Sequence, residues 1–211
     1  LQISGKPLTG DEVTIKGDVS SQYISSLMLI APYLENGLKI NIEGELVSRP
    51  YLEMTAEIMR HFGAQVSLEN EQIKVTGGEY AQMLFEVESD WSSASYWYEA
   101  AAFSDGVDLE IKGLKYKGSL QADAVVQEMY KAFSVETTSS QSGVFLSKLS
   151  QSSNVFTAYD FTKCPDIAQT ISCTSICLEN NVTLTGLKTL RIKETDRIEA
   201  LKNEIGKFGL R

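Results

Sequence analysis

Residues 13–44 read VTIKGDVSSQYISSLMLIAPYLENGLKINIEG, and this stretch decides the fold. A short β-type run leads to Ser20-Ser21-Gln22, which can start a helix, and an alternating run from Leu38 to Ile42 closes on glycine. The pattern then recurs twice. Its helix starts are 72 and 73 residues apart, and the glycines that close its second strands are 69 and 73 residues apart: Ser21, Ser93, Asp166; Gly44, Gly113, Gly186. Repetition of this kind predicts an α/β fold built from βαβαββ units.

Hydrophobic periodicity and turn residues place the elements of each unit. Unit one is expected to have strands at 13–15, 38–42, 65–68 and 72–76 and helices at 21–31 and 48–62. Unit two is expected to have a strand at 84–87, a helix at 92–103, a strand at 107–111, a helix at 120–133 and a polar link, 137–142, between two short strands. Unit three is expected to have a strand near 155–157, a helix at 166–178, a strand at 182–185 and a helix from Thr195 or Asp196.

Composition excludes several classes of protein. The chain has 211 residues, 43% of them apolar, and no run of about 18 apolar residues that would predict a membrane span. A net charge of −9 argues against a nucleic-acid partner but not against a small anion held by a few cations. No secretory signal pattern is present, so we expect a cytoplasmic protein. The chain begins at Leu1 rather than Met, which predicts a piece of a longer protein.

The cysteines Cys164, Cys173 and Cys177 form no paired disulfide pattern and fit a reducing compartment. A metal site is disfavoured, because His61 is the one imidazole and lies far along the sequence from every cysteine. His61 is better explained as the end of a helix before Gly63.

Three predicted helix starts carry residues that could bind an anion or move a proton. Backbone N–H groups and hydroxyls at Ser20-Ser21-Gln22 could hold a phosphate, although simple N-capping explains them as well. Ser48-Arg49-Pro50-Tyr51 offers a hydroxyl, a guanidinium and a phenol, or a serine cap with proline in the first turn. Asp166 after Pro165 could act as a base toward a bound hydroxyl or merely complement the helix dipole.

The segment Lys193-Glu194-Thr195-Asp196-Arg197 combines two cations with a carboxylate. Lys193 and Arg197 are four residues apart and would face one ligand if the segment were helical. Glu194 lies between them and is expected to stay ionised unless desolvated. Such a group suits an anionic substrate that needs proton transfer, or else a solvated helix start with Asp196 and Glu199 as a capping box.

Taken together, these residues resemble the 3-phosphoshikimate 1-carboxyvinyltransferase (EPSP synthase) family. Six stretches match in the family order: Ser20-Ser21-Gln22-Tyr23, Leu46 to Tyr51, Asp90 to Tyr96, Ser119 to Asp123, Pro165-Asp166 and Leu190 to Arg197. The resemblance implies transfer of the enolpyruvyl group of phosphoenolpyruvate to the 5-hydroxyl of shikimate 3-phosphate, in the pathway to chorismate and the aromatic amino acids. It implies no metal or organic cofactor, and small molecules as the only partners of a monomeric full-length enzyme.

Residue roles follow from the same resemblance. Shikimate 3-phosphate is expected to be bound by Ser20, Ser21, Gln22, Ser48 and Tyr51, and Gln22 is also expected to touch the phosphoenolpyruvate side. Asp166 would accept the proton of the attacking hydroxyl, and Lys193 would contact the shikimate moiety. Glu194 would relay protons at the phosphoenolpyruvate methylene, and Arg197 would bind the anionic groups of phosphoenolpyruvate.

The sequence also departs from the family pattern. Ala122 replaces a glycine of the family motif, Thr189 replaces an asparagine that many members carry, and members are roughly twice as long, with six units in two lobes. Residues 1–85 would then be the last unit of one lobe and residues 86–211 the first two units of the other, the second of them incomplete. Because further cations of the site lie outside the chain, we expect little or no turnover from it alone. Two alternatives stay open: a UDP-N-acetylglucosamine enolpyruvyl transferase and a non-catalytic βαβαββ scaffold.

Overall fold

A computed structural model describes residues 2–6, 8, 10–18, 20–150 and 157–209 of the chain. The chain divides into two compact units, Leu1–Phe85 and Glu86–Arg211. Each unit has its own cluster of buried apolar side chains, around Ile40 and Leu52 in the first and around Trp91 and Tyr98 in the second. Each unit therefore has a hydrophobic core of its own.

The first unit has the predicted order βαβαββ. Its strands and helices are β1 (Glu12–Lys16), α1 (Ser21–Ile30, continued by a 3-10 turn Ala31–Tyr33), β2 (Leu38–Glu43), α2 (Arg49–His61), β3 (Val66–Leu68) and β4 (Gln72–Val75). The sheet order is β1-β2-β4-β3, with β1 parallel to β2 and the other neighbours antiparallel. The parallel pair requires a crossover, which α1 supplies. The elements predicted for this unit are confirmed.

Apolar periodicity explains why these segments pack as they do. On β2, Leu38, Ile40 and Ile42 are buried, whereas the residues between them are less so. Ile40 lies opposite Ile73 of β4, so both sides of that pair face one core. Helix α2 ends at His61, and Gly63 with a φ of +88° follows, as predicted for a helix that ends at a glycine.

The second unit contains two further sets of strands and helices. Its elements are α3 (Trp91–Phe103), β5 (Asp108–Lys112), α4 (Val126–Met129), β6 (Val135–Ser139), β7 (Gly143–Lys148), β8 (Ala158–Asp160), α5 (Ala168–Cys177), β9 (Thr183–Thr185) and α6 (Arg197–Gly206). Strands β5, β7 and β6 form one antiparallel sheet, and β8 pairs in parallel with β9. Short 3-10 helices precede α5 and α6: Pro165–Ile167 and Lys188–Arg191.

The strand predicted at 84–87 is not formed. Leu84 and Val87 are 96% and 80% exposed, and the ladder partner of β5 within the described residues is β7. The chain meets the end of β5 only further on, where the Ser89 N–H donates to the Gly113 carbonyl at 2.9 Å. A short segment rich in apolar side chains does not by itself form a strand when no neighbouring ladder satisfies its backbone.

The long helix predicted at 120–133 is also wrong in part. It divides into a 3-10 helix Ala122–Val125, the short α4 and a second 3-10 helix Tyr130–Phe133. Asp123 in its first turn is buried and accepts a hydrogen bond from Ser92, so tertiary contacts outweigh regular helix geometry here.

Two boundaries differ from the prediction in the remaining strands. Residues 137–139 of the predicted polar link belong to β6, which leaves 140–142 as the turn. In unit three, 155 and 156 of the predicted strand lie outside the described residues, and the strand that is formed, β8, begins at Ala158.

The three glycines of the repeat share one backbone conformation. Gly44, Gly113 and Gly186 follow β2, β5 and β9 with φ values of +78°, +79° and +72°. A side chain in this left-handed region is strained, so the sequence keeps glycine at one position of each repeat. In the described part of the chain, no helix is long and apolar enough to cross a membrane.

Candidate functional site

In the first unit, the starts of α1 and α2 lie side by side. Both helices follow strands of one parallel pair, so they run in the same direction. The Ser25 and Thr55 hydroxyls, each four residues after Ser21 and Tyr51, are 3.1 Å apart. The predicted residues Ser20 to Gln22 and Ser48 to Tyr51 are therefore brought to neighbouring helix starts.

Ser20 caps α1, as the simpler explanation of this motif required. Its Oγ accepts the Gln22 backbone N–H at 3.4 Å, a long hydrogen bond. Ser21 is half-buried as the first residue of the helix, and Gln22 is exposed. The Gln22 amide therefore faces water beside the helix start, where a ligand could reach it.

Ser48 does not cap α2 through its side chain, which corrects one of the two readings of this serine. It lies at the N-cap position but forms no capping hydrogen bond, and its backbone is left-handed, with φ +59° and ψ +34°. Its side chain is buried, with the residue 6% exposed. Strained non-glycine residues of this kind occur disproportionately in binding sites and active sites. Tyr51, one turn further on, is half-buried.

In the second unit, Asp166 is the centre of a charged cluster. Arg197 Nη1 donates to Asp166 Oδ1 at 3.0 Å, and Lys193 Nζ lies 3.7 Å from the same oxygen. The side chain of Asp166 is 27% exposed, that of Arg197 is 23% exposed and that of Lys193 is 20% exposed. They are sheltered enough for electrostatic interactions to be strong, and open enough for a ligand to reach.

The cluster does not depend on a helix that carries both cations. Because α6 begins only at Arg197, close to the predicted start, Lys193 lies in the segment before it, and the condition for a shared helical face is not met. Asp196 is the N-cap of α6 and accepts the Glu199 backbone N–H at 3.0 Å, which is the N-cap half of the predicted capping box. Lys193 and Arg197 meet at Asp166 because the chain turns there.

Glu194 forms the second carboxylate of the cluster. Arg197 donates to Glu194 Oε1 through Nε and Nη2, at 3.0 and 2.7 Å. Hydrogen bonds from its own backbone amide and from Arg197 lower the pKa of the Glu194 carboxyl below its ordinary value. Glu194 is thus ionised at neutral pH, as its position between two cations predicted, and one guanidinium bridges both carboxylates.

A cavity of about 580 Å³ opens beside this cluster. Its walls come from α3, from the segment around Asp166 and from the start of α6: Ser92, Ser93, Tyr96, Asp166, Gln169, Glu194, Thr195, Arg197, Ala200, Leu201 and Glu204. Cavities of this size hold small molecules in other proteins.

A polar network fixes the α3 wall of this cavity. The Ser92 hydroxyl donates to buried Asp123, and the Gln121 side chain accepts the Trp91 N–H at 2.8 Å and donates to the Ser89 carbonyl at 2.8 Å. Ser119 Oγ donates to Glu88 at 2.9 Å. The motif from Ser119 to Asp123 therefore supports the loop before α3, and Ala122, found where the family has glycine, begins the 3-10 helix that follows.

Sequence reasoning missed Ser92, Ser93, Tyr96 and Gln169 as residues of the site. A signal for the two serines was present, because Ser93 occupies the repeat position of Ser21 and Asp166. Gln169 follows Asp166 by three residues, yet nothing in its local sequence distinguishes it. Within the described residues, no group of three or more His, Cys, Asp or Glu side chains could hold a metal ion.

Comparison with known proteins decides the family. A family model described as EPSP synthase (3-phosphoshikimate 1-carboxyvinyltransferase) matches residues 1–211. The chain belongs to the EPSP synthase family. This match favours the EPSP synthase reading over a UDP-N-acetylglucosamine enolpyruvyl transferase and over a non-catalytic scaffold.

Curated relatives carry the same name. A 3-phosphoshikimate 1-carboxyvinyltransferase of Bacteroides fragilis is 46% identical over 210 residues, which are 99% of this chain and 51% of that protein. The protein of this name from Sulfurovum sp. (strain NBC37-1) is 36% identical over 99% of this chain and 48% of its own length. The chain thus spans about half the length of the curated relatives that it matches.

A solved EPSP synthase from Acinetobacter baumannii has a similar fold. It aligns with a TM-score of 0.66 at 20% identity, over 93% of this chain and 45% of that one. At this identity the likeness concerns the fold, and it supports the predicted α/β architecture of the EPSP synthase family.

Proposed function

We propose that the protein of which this chain forms about half transfers the enolpyruvyl group of phosphoenolpyruvate to the 5-hydroxyl of shikimate 3-phosphate. In the addition step, the hydroxyl oxygen bonds to C2 of phosphoenolpyruvate, the hydroxyl proton leaves and the methylene carbon gains a proton. In the elimination step, the bond from C2 to the phosphate oxygen breaks and that methyl carbon loses a proton. The products are the enolpyruvyl ether and phosphate.

The observation that carries this proposal is the position of Asp166. Its carboxylate is partly exposed beside the cavity, and Arg197 and Lys193 hold it from one side. A carboxylate fixed by two cations is oriented before a ligand arrives, which general base catalysis requires. We assign Asp166 as the acceptor of the proton of the attacking hydroxyl.

We assign the other charged residues of the cluster to substrate binding and to proton transfer at the methylene carbon. Arg197 binds the anionic groups of phosphoenolpyruvate, and Lys193 contacts the shikimate moiety. Glu194 relays protons at the methylene carbon. Because its pKa is lowered, Glu194 starts the cycle ionised, so it must take up a proton before it delivers one to the methylene carbon in the addition step, and it accepts a proton from the methyl carbon in the elimination step.

In the first unit, we assign Ser20, Ser21, Gln22, Ser48 and Tyr51 to the binding of shikimate 3-phosphate, with Gln22 also on the phosphoenolpyruvate side. The strained backbone of Ser48 and the exposed amide of Gln22 support this assignment. The neighbouring starts of α1 and α2 carry the positive ends of two helix dipoles, which suit a phosphate or a carboxylate.

The proposal extends to the whole protein. Residues 1–85 form the last βαβαββ unit of one lobe, and residues 86–211 form the first two units of the other. The remaining substrate-binding cations belong to the other half of the protein, so the chain alone turns over little or no substrate. The complete enzyme is a cytoplasmic monomer of the shikimate pathway that uses no metal or organic cofactor and binds no nucleic acid.

A chimeric enzyme tests this function. Residues 1–211 replace the matched region of the Bacteroides fragilis relative, and phosphate release is measured with both substrates and with each one omitted. We expect release that requires both substrates. Replacing Asp166 by Asn should lower kcat by about 10²- to 10⁴-fold, the usual contribution of a general base.

The matched control replaces Asp108, an exposed carboxylate of β5 outside the cavity, by Asn. This variant should keep the turnover of its parent. The proposal would be refuted by a folded chimera that releases no phosphate, or by Asp166→Asn retaining the parental kcat.

A further inference from the structure

Helices α3 and α5 are joined by a buried pair of hydroxyl groups. Ser95 Oγ of α3 lies 2.9 Å from Thr170 Oγ1 of α5, and the two residues are only 1% and 2% exposed. They are 75 positions apart in the chain, so the contact ties together two separate repeats of the second unit. A buried hydrogen bond without competing water is a directional constraint as well as a stabilising contact.

Each hydroxyl proton of this pair has a defined direction. Ser95 Oγ donates to the Ser92 carbonyl at 2.6 Å, which uses the single proton of that hydroxyl. Thr170 must therefore donate to Ser95 Oγ. Thr174 Oγ1, one turn further along α5, donates to the Thr170 carbonyl at 3.0 Å, a hydrogen bond within the same helix.

The pair lies directly beneath the candidate site. Ser95 comes one turn after Ser92, and Thr170 comes one turn after Asp166, both of which line the cavity. The contact between Ser95 and Thr170 therefore lies between two segments that both line the cavity, the start of α3 and the segment around Asp166.

The same device occurs independently in the first unit. Ser25 and Thr55 are 3.1 Å apart, each four residues after the predicted site residues Ser21 and Tyr51. Thr55 Oγ1 donates to the Tyr51 carbonyl at 2.9 Å, so Ser25 must donate to Thr55. In both units, one hydroxyl bonds to a carbonyl in the first turn of a helix, and the neighbouring helix donates to that hydroxyl.

We propose that Thr170 and Ser95 are positioning residues for the reaction, which act by holding Asp166 at its distance from the α3 wall. This inference rests on the proposed function for its effect on turnover. Replacing the Thr170 hydroxyl by a methyl group changes a 2.9 Å hydrogen bond into a van der Waals contact of about 3.5–4.0 Å. The start of α5 would then move by roughly 0.5–1 Å, enough to misplace a catalytic carboxylate.

Four variants separate positioning from mere stability. Thr170→Val and Ser95→Ala remove the contact, and Thr170→Ser keeps the hydroxyl and should rescue it. The matched control is Thr137→Val. Thr137 lies on β6, does not line the cavity, and has a buried hydroxyl 2.8 Å from the Tyr98 hydroxyl of α3. All four are made in the 211-residue chain and in the chimeric enzyme.

The first readout needs no substrate and no activity. Arg197 Nη1 donates to Asp166, so the guanidinium NMR signals of Arg197, assigned with Arg197→Lys, report the position of that carboxylate. We expect Thr170→Val and Ser95→Ala to shift these signals, and Thr170→Ser and Thr137→Val to leave them at the parental positions. The urea midpoint should fall for both Thr170→Val and Thr137→Val.

The second readout is steady-state kinetics in the chimera. Thr170→Val should lower kcat by about ten- to a hundredfold with a smaller change in KM, whereas Thr137→Val should leave kcat unchanged. A chimera without turnover contradicts the proposed function, and the guanidinium signals then decide the positioning role alone. Unchanged Arg197 signals in Thr170→Val, or equal losses of kcat in Thr170→Val and Thr137→Val, would overturn this inference.

Discussion

The repeat glycines allow the strain of the left-handed turn to be separated from steric collision. Gly44 and Gly186 close corresponding strands with nearly equal φ values, +78° and +72°. A Cβ added to Gly44 meets no atom within 4 Å. A Cβ added to Gly186 collides with Asp160 Oδ1, with the backbone nitrogen of Thr162 and with Thr162 Oγ1. Both alanine variants therefore carry the free-energy cost of a left-handed backbone with a side chain, but only Gly186→Ala also carries the cost of steric collision.

The expected magnitudes follow from these surroundings. Gly44→Ala should lower the free energy of unfolding by about 1–2 kcal/mol, the cost of a left-handed residue with a side chain. Gly186→Ala adds roughly 1–3 kcal/mol for overpacking, a total of about 2–5 kcal/mol. Part of that loss comes from Asp160, which accepts the Thr162 N–H at 3.0 Å and would have to move.

Urea unfolding measures both effects. Trp91 is fully buried, and both tryptophans of the chain, Trp91 and Trp97, lie in the second unit, so tryptophan fluorescence follows the unit that contains Gly186. Far-UV circular dichroism follows the Gly44 variants. Gly44→Asn is the matched control, because asparagine tolerates the left-handed region better than alanine and should recover part of the loss.

Two results would refute this reasoning. A Gly186→Ala variant no less stable than Gly44→Ala would show that the contacts with Asp160 and Thr162 relax without cost. A Gly44→Asn variant less stable than Gly44→Ala would show that the left-handed backbone is not the source of the loss.

Three further predictions concern buried and charged groups of the second unit. Ser175 Oγ is the buried side-chain atom without a hydrogen-bond partner among the described residues, so Ser175→Ala should raise the free energy of unfolding by about 1 kcal/mol in urea titrations; a loss of stability would contradict this. Because Arg197 helps to lower the pKa of Glu194, Arg197→Gln should raise that pKa in a carboxyl ¹³C titration, and an unchanged pKa would refute the pairing. The stabilisation from Glu194 should be complete above its unfolded pKa and be lost as the pH falls through the lower folded value. Burial raises the pKa of Cys164 to about 12, whereas Cys177 is exposed; iodoacetamide at pH 8 should therefore label Cys177 first and Cys164 only on unfolding, as mass spectrometry would detect.

The outline of the fold could be predicted because its signals are local. The alternation from Leu38 to Ile42 and the apolar spacing of α2 depend on residues only a few positions apart, and both elements form as expected. The strand expected at 84–87 fails for the opposite reason, since a strand requires a partner that its own residues do not specify. The helix expected at 120–133 breaks up because Asp123 turns inward to Ser92, which lies 31 residues earlier.

The features of the candidate site also separate into those set by local sequence and those set by tertiary packing. The sequence by itself determined the three repeats, the glycine at each strand end and the motifs that carry Ser21, Asp166 and Arg197, because these are matters of residue type and short spacing. Only the tertiary structure decided that Lys193 and Arg197 meet on one oxygen of Asp166, and that Ser48 is left-handed rather than a side-chain cap. It also decided which hydroxyls pair beneath the helix starts. Distances between residues far apart in the chain are set by how whole helices pack, and no local pattern encodes them.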